Sequence, residues 1–339
     1  MNHLLRAGGL LGVVDFLQKR LSVSGGVLRG LASDVCDAAA HHSYVETFSC
    51  RADSWHRALK FTSVQEWFEG FRDLVAARLP RQLRGPVVLA IDITDEAFYG
   101  VPTLETVPWT GEDGITSWWK FITVSLVVSS ANKTIPIAAL PFHFGTRIEQ
   151  AVERLLDAAA SVLPSIKLVL FDRGFYSAAL MHMMQQRNIP YLILVPKNQL
   201  VGAIADQCRA TMTWAVIPHT LKWNADKTMH HTSTNLVFFP DKKYDWVWAT
   251  NTNPYHVSKL VYTYRVRWRI ETLFRVHDEA RIKTKSVHAI VRYVTFLISL
   301  LLTVVWTTTT RCQPFQRWLA ETARLSWLEN VLVQINSYR

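Results

Sequence analysis

The chain has 339 residues, 49% of them hydrophobic and 19% charged, which excludes a disordered protein and allows about two domains, or one large domain with an insertion. Its four cysteines (Cys36, Cys50, Cys208, Cys312) form no Cys-x-x-Cys pair, so neither a disulfide scaffold nor a zinc finger is expected. With 37 Lys and Arg against 27 Asp and Glu, the net charge of +10 points to a polyanionic partner, nucleic acid before membrane.

Residues 1–85 read as helical and mixed in polarity, with breaks at SVSGG (22–26) and SCRADS (49–54). Their scattered basic residues fit either a DNA-end-binding region or a solvated helical cap. The apolar N-terminal run is interrupted by Asp15 and Lys19 and has no small-residue cleavage pattern, so no signal peptide is expected. At PVVLAID (86–92) the pattern changes to a buried strand that ends in Asp92. After a loop over 94–114, WKFITVSLVVSS (119–130) and TIPIAALPFHF (134–144) complete a three-stranded antiparallel meander. Helical spacing of Ile148, Val152, Leu155 and Leu156 follows, then SIKLVLFD (165–172), a second buried strand ending in Asp172. RGFYSAALMHMMQQRN (173–188) reads as a helix and PYLILVPK (190–197) as a strand, so the core is an α/β sheet with parallel strands.

Residues 198–245 lose this rhythm and read as an insertion with short β-like pieces. YDWVWATN (244–251) is a further strand, and a long helix is expected from about residue 258 to beyond 278. The apolar run at 293–306 is shorter than the roughly 20 residues of a membrane span, so it is read as a buried core helix. A helical tail over 307–339 and a cytoplasmic, nucleoid-associated location with no membrane partner complete the expectation.

The chemistry is expected where the two strand-terminal acids meet a basic helix. Parallel strands in α/β sheets present ligands at their carboxyl ends, so Asp92 and Asp172 can converge. Tyr264, Arg267, Glu271, Arg275 and Asp278 fall on one stripe of a 3.6-residue helix. Eight Lys and Arg against three acids within 261–292 give this segment +5, half of the chain's net charge. Carboxylates beside such a stripe suit cations next to a phosphate backbone. Asp92, Asp172 and Glu271 would make an all-oxygen site for two Mg²⁺ or Mn²⁺ ions, the arrangement used for phosphodiester displacement.

The order strand–Asp92, strand–Asp172 within DRGFYS, insertion, then YRVRWRIE resembles the DDE transposases of bacterial and archaeal insertion sequences. It is most similar to the group whose last motif reads Tyr, two residues, Arg, three residues, Glu, six residues, Lys. Tyr264, Arg267 and Glu271 match that spacing, but position 278 holds Asp where the group has its lysine. The resemblance spans 86–306. It implies a ribonuclease-H-like core, a mixed sheet flanked by helices, with a β-rich insertion at about 198–245. It also implies cutting and joining of double-stranded transposon ends (inverted repeats) and target, by a homodimer in the DNA complex. On this resemblance Asp92, Asp172 and Glu271 are the catalytic, metal-holding acids, and Tyr264 and Arg267 grip phosphate at the cut. Arg275, Lys283 and Lys285 contact the backbone and stand in for the missing lysine, while Arg173 supports Asp172 or the backbone. Trp223 stacks on a flipped base. A copy that kept the fold and binds DNA without catalysis is the alternative, with Asp278 as its only support.

Overall fold

The structure is a computed structural model. It describes residues 34–35, 37–41, 43–48, 52–79, 83, 85–111, 114–128, 133–225, 227–241, 246–253, 264–265, 267, 278, 281–309 and 314–324. Ahead of the sheet, the described residues include the helices α1 (Val45–Phe48), α2 (Ala52–Leu59) and α3 (Val64–Ala76). Helix α3 starts at a capping box in which Ser63 and Glu66 satisfy each other's backbone N–H, and it buries Trp67, Phe68, Phe71, Leu74 and Val75 on one side.

The sheet is built from the apolar runs noted above. Strand β1 (Pro86–Phe98) is followed by the short β2 (Val107–Pro108), β3 (Ser117–Val128) and β4 (Lys133–Pro141). Next come α4 (Ile148–Ala160), β5 (Ser165–Phe171), α5 (Ala178–Gln186), β6 (Tyr191–Leu194) and α6 (Gln199–Thr211). Then β7 (Ala215–Ala225), β8 (Thr228–Phe239) and β9 (Trp246–Thr250) precede α7 (Ala289–Thr309) and a further helix, α8, over 315–324. The strand order is β2-β3-β1-β5-β6-β9-β8-β7, with β4 beside β3. β1, β5 and β6 are parallel, and the remaining pairs are antiparallel. The expected meander of β1, β3 and β4 is therefore present, as is the parallel centre.

Three local readings are corrected. β1 does not end at Asp92; it continues to Phe98 because Ile93–Phe98 still have β3 as a partner after β5 has stopped. The helix after Asp172 starts only at Ala178, where Ser177 provides the N-cap, and Arg173–Phe175 form a 3₁₀ turn. The segment 198–245 is far from irregular: after α6, two strands of 11 and 12 residues pair over their length, and β9 joins them antiparallel to β6. Polar residues hid this strand pattern. Thr232 and Thr234 are buried, but Gln185 accepts from Thr232 at 2.8 Å, and Tyr191 donates to Thr234 at 3.0 Å. Satisfied this way, they can sit in a half-buried sheet.

The apolar run at 293–306 lies within α7, which is longer than the sequence reading allowed. Its window Ala289–Thr308 is long and apolar enough to cross a membrane by length and composition, but 83% of it is buried inside the protein. Thr295, Ser299 and Thr303 are buried too, each with its hydroxyl bonded to a carbonyl four residues back. Phe296 stacks on Phe121 of β3 at 4.2 Å, and the Tyr293 hydroxyl donates to Ala139 O at 2.7 Å. These contacts hold α7 against the sheet as a core helix.

Candidate active site

Alternation along the two central strands decides where the acids point. Leu89, Ile91, Val169 and Phe171 belong to the main core, whereas Ala90, Leu168 and Leu170 face a smaller one with Trp246, Trp248 and Tyr264. With a period of two, Asp92 follows Ala90 and Asp172 follows Leu170 onto that second face. The last cross-strand pair is Ile91–Phe171. Asp92 and Asp172 are the next residues on each strand, level with one another on neighbours about 4.8 Å apart. Two carboxylates this close repel each other unless a cation lies between them.

The cation is Arg267. Its Nη1 lies 3.3 Å from Asp92 Oδ2 and its Nη2 3.8 Å from Asp172 Oδ1. Its side chain is 5% exposed, against 16% for Asp92 and 37% for Asp172, so the guanidinium lies beneath the acids and the acids face outward. Asp92 is fixed further by the Ile93 N–H, which donates to Oδ1 at 2.9 Å. Arg267 in turn lies over the Tyr264 ring at 5.6 Å, and its backbone N–H donates to Tyr264 O at 2.8 Å.

Tyr264 is the anchor of this arrangement. It is 1% exposed, packed edge-on to Trp246 and tilted against Trp248, and its hydroxyl donates to Phe171 O at 3.2 Å. Burial pushes its phenol well above the ordinary value of 10 despite the opposing pull of Arg267, so it stays a protonated donor. The expectation that Tyr264 grips phosphate is corrected: a sealed phenol bonded to the carbonyl just before Asp172 cannot reach a DNA backbone. Arg267 is likewise turned inward onto the acids and away from solvent.

The other expected residues are distributed as follows. Glu271 and Arg275 lie outside the described residues, as does most of the helix expected between 258 and 278. Arg173 is exposed in the turn next to Asp172. Lys283 and Lys285 have exposed side chains, but their backbone is clamped. Lys283 O accepts from Val45 N–H at 2.9 Å, Lys285 N–H donates to Glu46 at 2.9 Å, and Lys285 Nζ lies over the Tyr44 ring. Trp223 lies part-buried on β7. Its ring is already flanked by His230, stacked at 5.1 Å from the opposing strand, and by His182 of α5 at 5.0 Å.

Two contacts escaped the sequence reading. Glu96, farther along β1, makes a buried ion pair of 2.5 Å with Arg292 at the start of α7. Asp278 pairs with Arg281 at 2.5 Å, and Arg281 also donates to Asp95 O at 3.3 Å. The only advance signal for either was an excess of arginine around 261–292 without evident partners.

Does the acid pair suit a divalent cation? Among the described residues no three His, Cys, Asp or Glu side chains converge as a metal-ligand cluster. Even so, two outward-facing carboxylates at the end of a parallel strand pair are hard oxygen donors. That one guanidinium reaches both shows that they present themselves to a single cation. The donor chemistry fits.

Residues 85–306, well over half of the chain, match the family described as the transposase DDE domain. The chain belongs to that family. Family membership makes this protein a transposase and implies strand cleavage and transfer dependent on divalent cations. Among solved structures it is similar to the piggyBac transposase in its cryo-EM synaptic complex with hairpin DNA. That match has a TM-score of 0.60 at 12% identity, covering 96% of this chain and 77% of the other. At that identity the likeness concerns the fold, and it agrees with the ribonuclease-H-like mixed sheet flanked by helices described above. No curated protein sequence matches the transposase.

Proposed function

We propose that this transposase cuts and joins transposon-end DNA at the outward face of Asp92 and Asp172, with Glu271 as the third acid. The observation that carries the reading is that both aspartates stand level on adjacent parallel strands and share one cationic partner within 3.8 Å. The Tyr264, Arg267 and Glu271 spacing supports placing it with the insertion-sequence transposases of the Tyr-Arg-Glu-Lys group.

Divalent cations, Mg²⁺ or Mn²⁺ and two in number, would supply an activated attacking oxygen and charge stabilisation of the departing 3′ oxygen. The chain's own part is placement. Ile93 N–H fixes one rotamer of Asp92, and Tyr264 ties the end of β5, hence Asp172, to the 264–267 segment. Exposed Arg173 lies beside Asp172, where it can hold phosphate oxygens. Lys283 and Lys285 extend the positive surface for the DNA duplex, with two copies of the chain holding two ends. Glu271 and Arg275 keep their proposed roles as ligand and backbone contact on the strength of their spacing alone.

The test is single-turnover cleavage of DNA carrying the element's own ends. Asp92→Asn and Asp172→Asn should each abolish cleavage in Mg²⁺ while end binding persists. Cleavage at the wild-type rate in either variant overturns the assignment.

A further inference from the structure

The segment between β1 and β3 turns apolar side chains to solvent. Tyr99, Val101, Leu104 and Trp109 are exposed there, Leu104 to 92%, and Phe144 is exposed beside them. Hydrogen bonds gather these residues into one surface. Thr116 Oγ1 donates to Gly100 O at 2.5 Å, Trp109 N–H donates to Thr116 O at 3.2 Å, and His143 Nδ1 meets Glu105 O at 2.9 Å. Close approach fixes the shape further. A Cβ at Gly111 would stand 2.1 Å from the Trp109 indole nitrogen, and one at Gly100 would stand 2.5 Å from the Phe98 ring. The Trp109 indole packs edge-on to Trp118 at 6.0 Å. A loop tied in this way has already lost the conformational entropy that docking would otherwise cost.

Charge decides what such a surface fits. Residues 99–116 contain Glu105, Glu112 and Asp113 and no Lys or Arg, so the segment carries −3. The chain totals +10, which leaves +13 for the remainder. Lys120 on β3 and Arg147 ahead of α4 do not offset the segment, because they are paired with Asp95 at 2.9 Å and Glu149 at 2.6 Å. A phosphate backbone is repelled by this segment, whereas the basic body of another copy attracts it. Two such segments facing each other would repel as well. Each therefore fits the body of the other copy, a reciprocal contact that a two-fold axis closes.

We infer that the 99–116 segment, together with Phe144, docks onto a second copy of this chain. This deepens the reading above that two copies hold two DNA ends, and it rests on that reading. Burial of Val101, Leu104 and Trp109 supplies the affinity, and the acids steer the segment toward a basic surface. Placement gives the contact a use. Strand β1 carries Asp92 and ends at Phe98 six residues on, about 20 Å along an extended strand. The docked copy therefore stands at the carboxyl end of β1, the end at which Asp92 and Asp172 open to solvent.

The test uses the full chain with a labelled duplex carrying the element's own end, and sedimentation reads the number of chains in the complex. Wild type should hold two copies. Leu104→Asp should raise the dissociation constant of the pair by about tenfold or more. Its urea midpoint should stay unchanged, because the side chain is exposed. Benzoylphenylalanine placed at position 104 should crosslink to a second chain on illumination. Glu105→Lys should weaken pairing, whereas a segment seated on DNA would gain DNA affinity from the same change. A crosslink to the duplex instead of a chain overturns the docking. So do Leu104→Asp and Glu105→Lys proteins that pair like wild type, although the two-copy reading then survives. If wild type itself carries one chain per duplex at every concentration, the two-copy reading fails and the docking with it.

Discussion

Replacing Tyr264 by Phe separates a buried strut from a phosphate contact. The change removes one hydroxyl and keeps the ring, so contacts with Trp246 and Trp248 at 6.0 and 5.8 Å and with the Arg267 guanidinium at 5.6 Å persist. What is lost is the 3.2 Å bond to Phe171 O in a fully enclosed position. A hydrogen bond of this kind contributes about 1 kcal/mol net, and stranding a buried acceptor raises the cost toward 2 kcal/mol. Tyr264→Phe should therefore lose about 1–2 kcal/mol in urea unfolding. Its DNA affinity should keep the wild-type salt dependence, whereas removing a phosphate contact would make the slope of log K against log salt shallower by about 0.9.

A pH series checks the same bond from the other side. Burial raises the folded-state pKa of Tyr264 above its ordinary 10. A group with a raised pKa contributes fully below the unfolded value and loses that contribution as pH climbs toward the folded one. The stability gap between wild type and Tyr264→Phe should hold constant from neutral pH to about 10 and narrow above it. Buried Tyr293 and Tyr191 also have raised values, but they are common to both proteins and cancel. A shallower salt slope with an unchanged urea midpoint would refute the strut and restore the phosphate grip.

Glu96→Ala should cost about 3 kcal/mol in urea unfolding, because it leaves Arg292 buried without its 2.5 Å partner; Glu96→Met combined with Arg292→Met should recover part of that loss. His56 is held below its usual pKa of 6.5 mainly by burial, with Glu46 opposing. The unfolded chain takes up that proton first as pH falls below 6.5, so stability should decline there and stay level above, and His56→Gln should flatten the decline in urea midpoints between pH 5.5 and 7.5. Lys283→Ala with Lys285→Ala should make the DNA-binding salt slope shallower by about 1.8 while cleavage at saturating DNA is unchanged; a lower cleavage rate would place them at the cut.

The central strands β1 and β5 were legible because their runs are mostly apolar and each run ends in aspartate. Parallel pairing of β1 and β5 then brings Asp92 and Asp172 level, as the motif order suggested. Where the reading failed, a partner outside the segment made the difference. Ile93–Phe98 look like loop in isolation, and only the edge of β3 makes them strand. The 215–239 hairpin carries buried threonines that read as polar until Gln185 and Tyr191 satisfy them. The helical stripe placed Tyr264 and Arg267 together correctly, but amphipathic spacing cannot say which side of a boundary stripe is buried. Trp246 and Trp248, from a strand some twenty residues earlier, pack on Tyr264 and hold it inward, and Arg267 lies over its ring.

Position 278 shows how local pairing changes what a substitution means. A lone aspartate there would add negative charge beside a phosphate path, and in the sequence alone it supports a copy without catalysis. In the structure Asp278 meets Arg281 at 2.5 Å, and Arg281 also reaches Asp95 O on β1. Asp95 is itself paired with Lys120 at 2.9 Å. The acid is thus offset by an arginine three residues on, within a chain of contacts that ties the end of the basic segment to β1. Asp95 lies three residues beyond Asp92, about 10 Å along an extended strand. Asp278 acts there as a strut for Arg281. The expected consequence is that Asp278→Ala loosens Arg281 and lowers stability without abolishing cleavage. Abolished cleavage in a stable Asp278→Ala protein would give the acid a direct part in the chemistry.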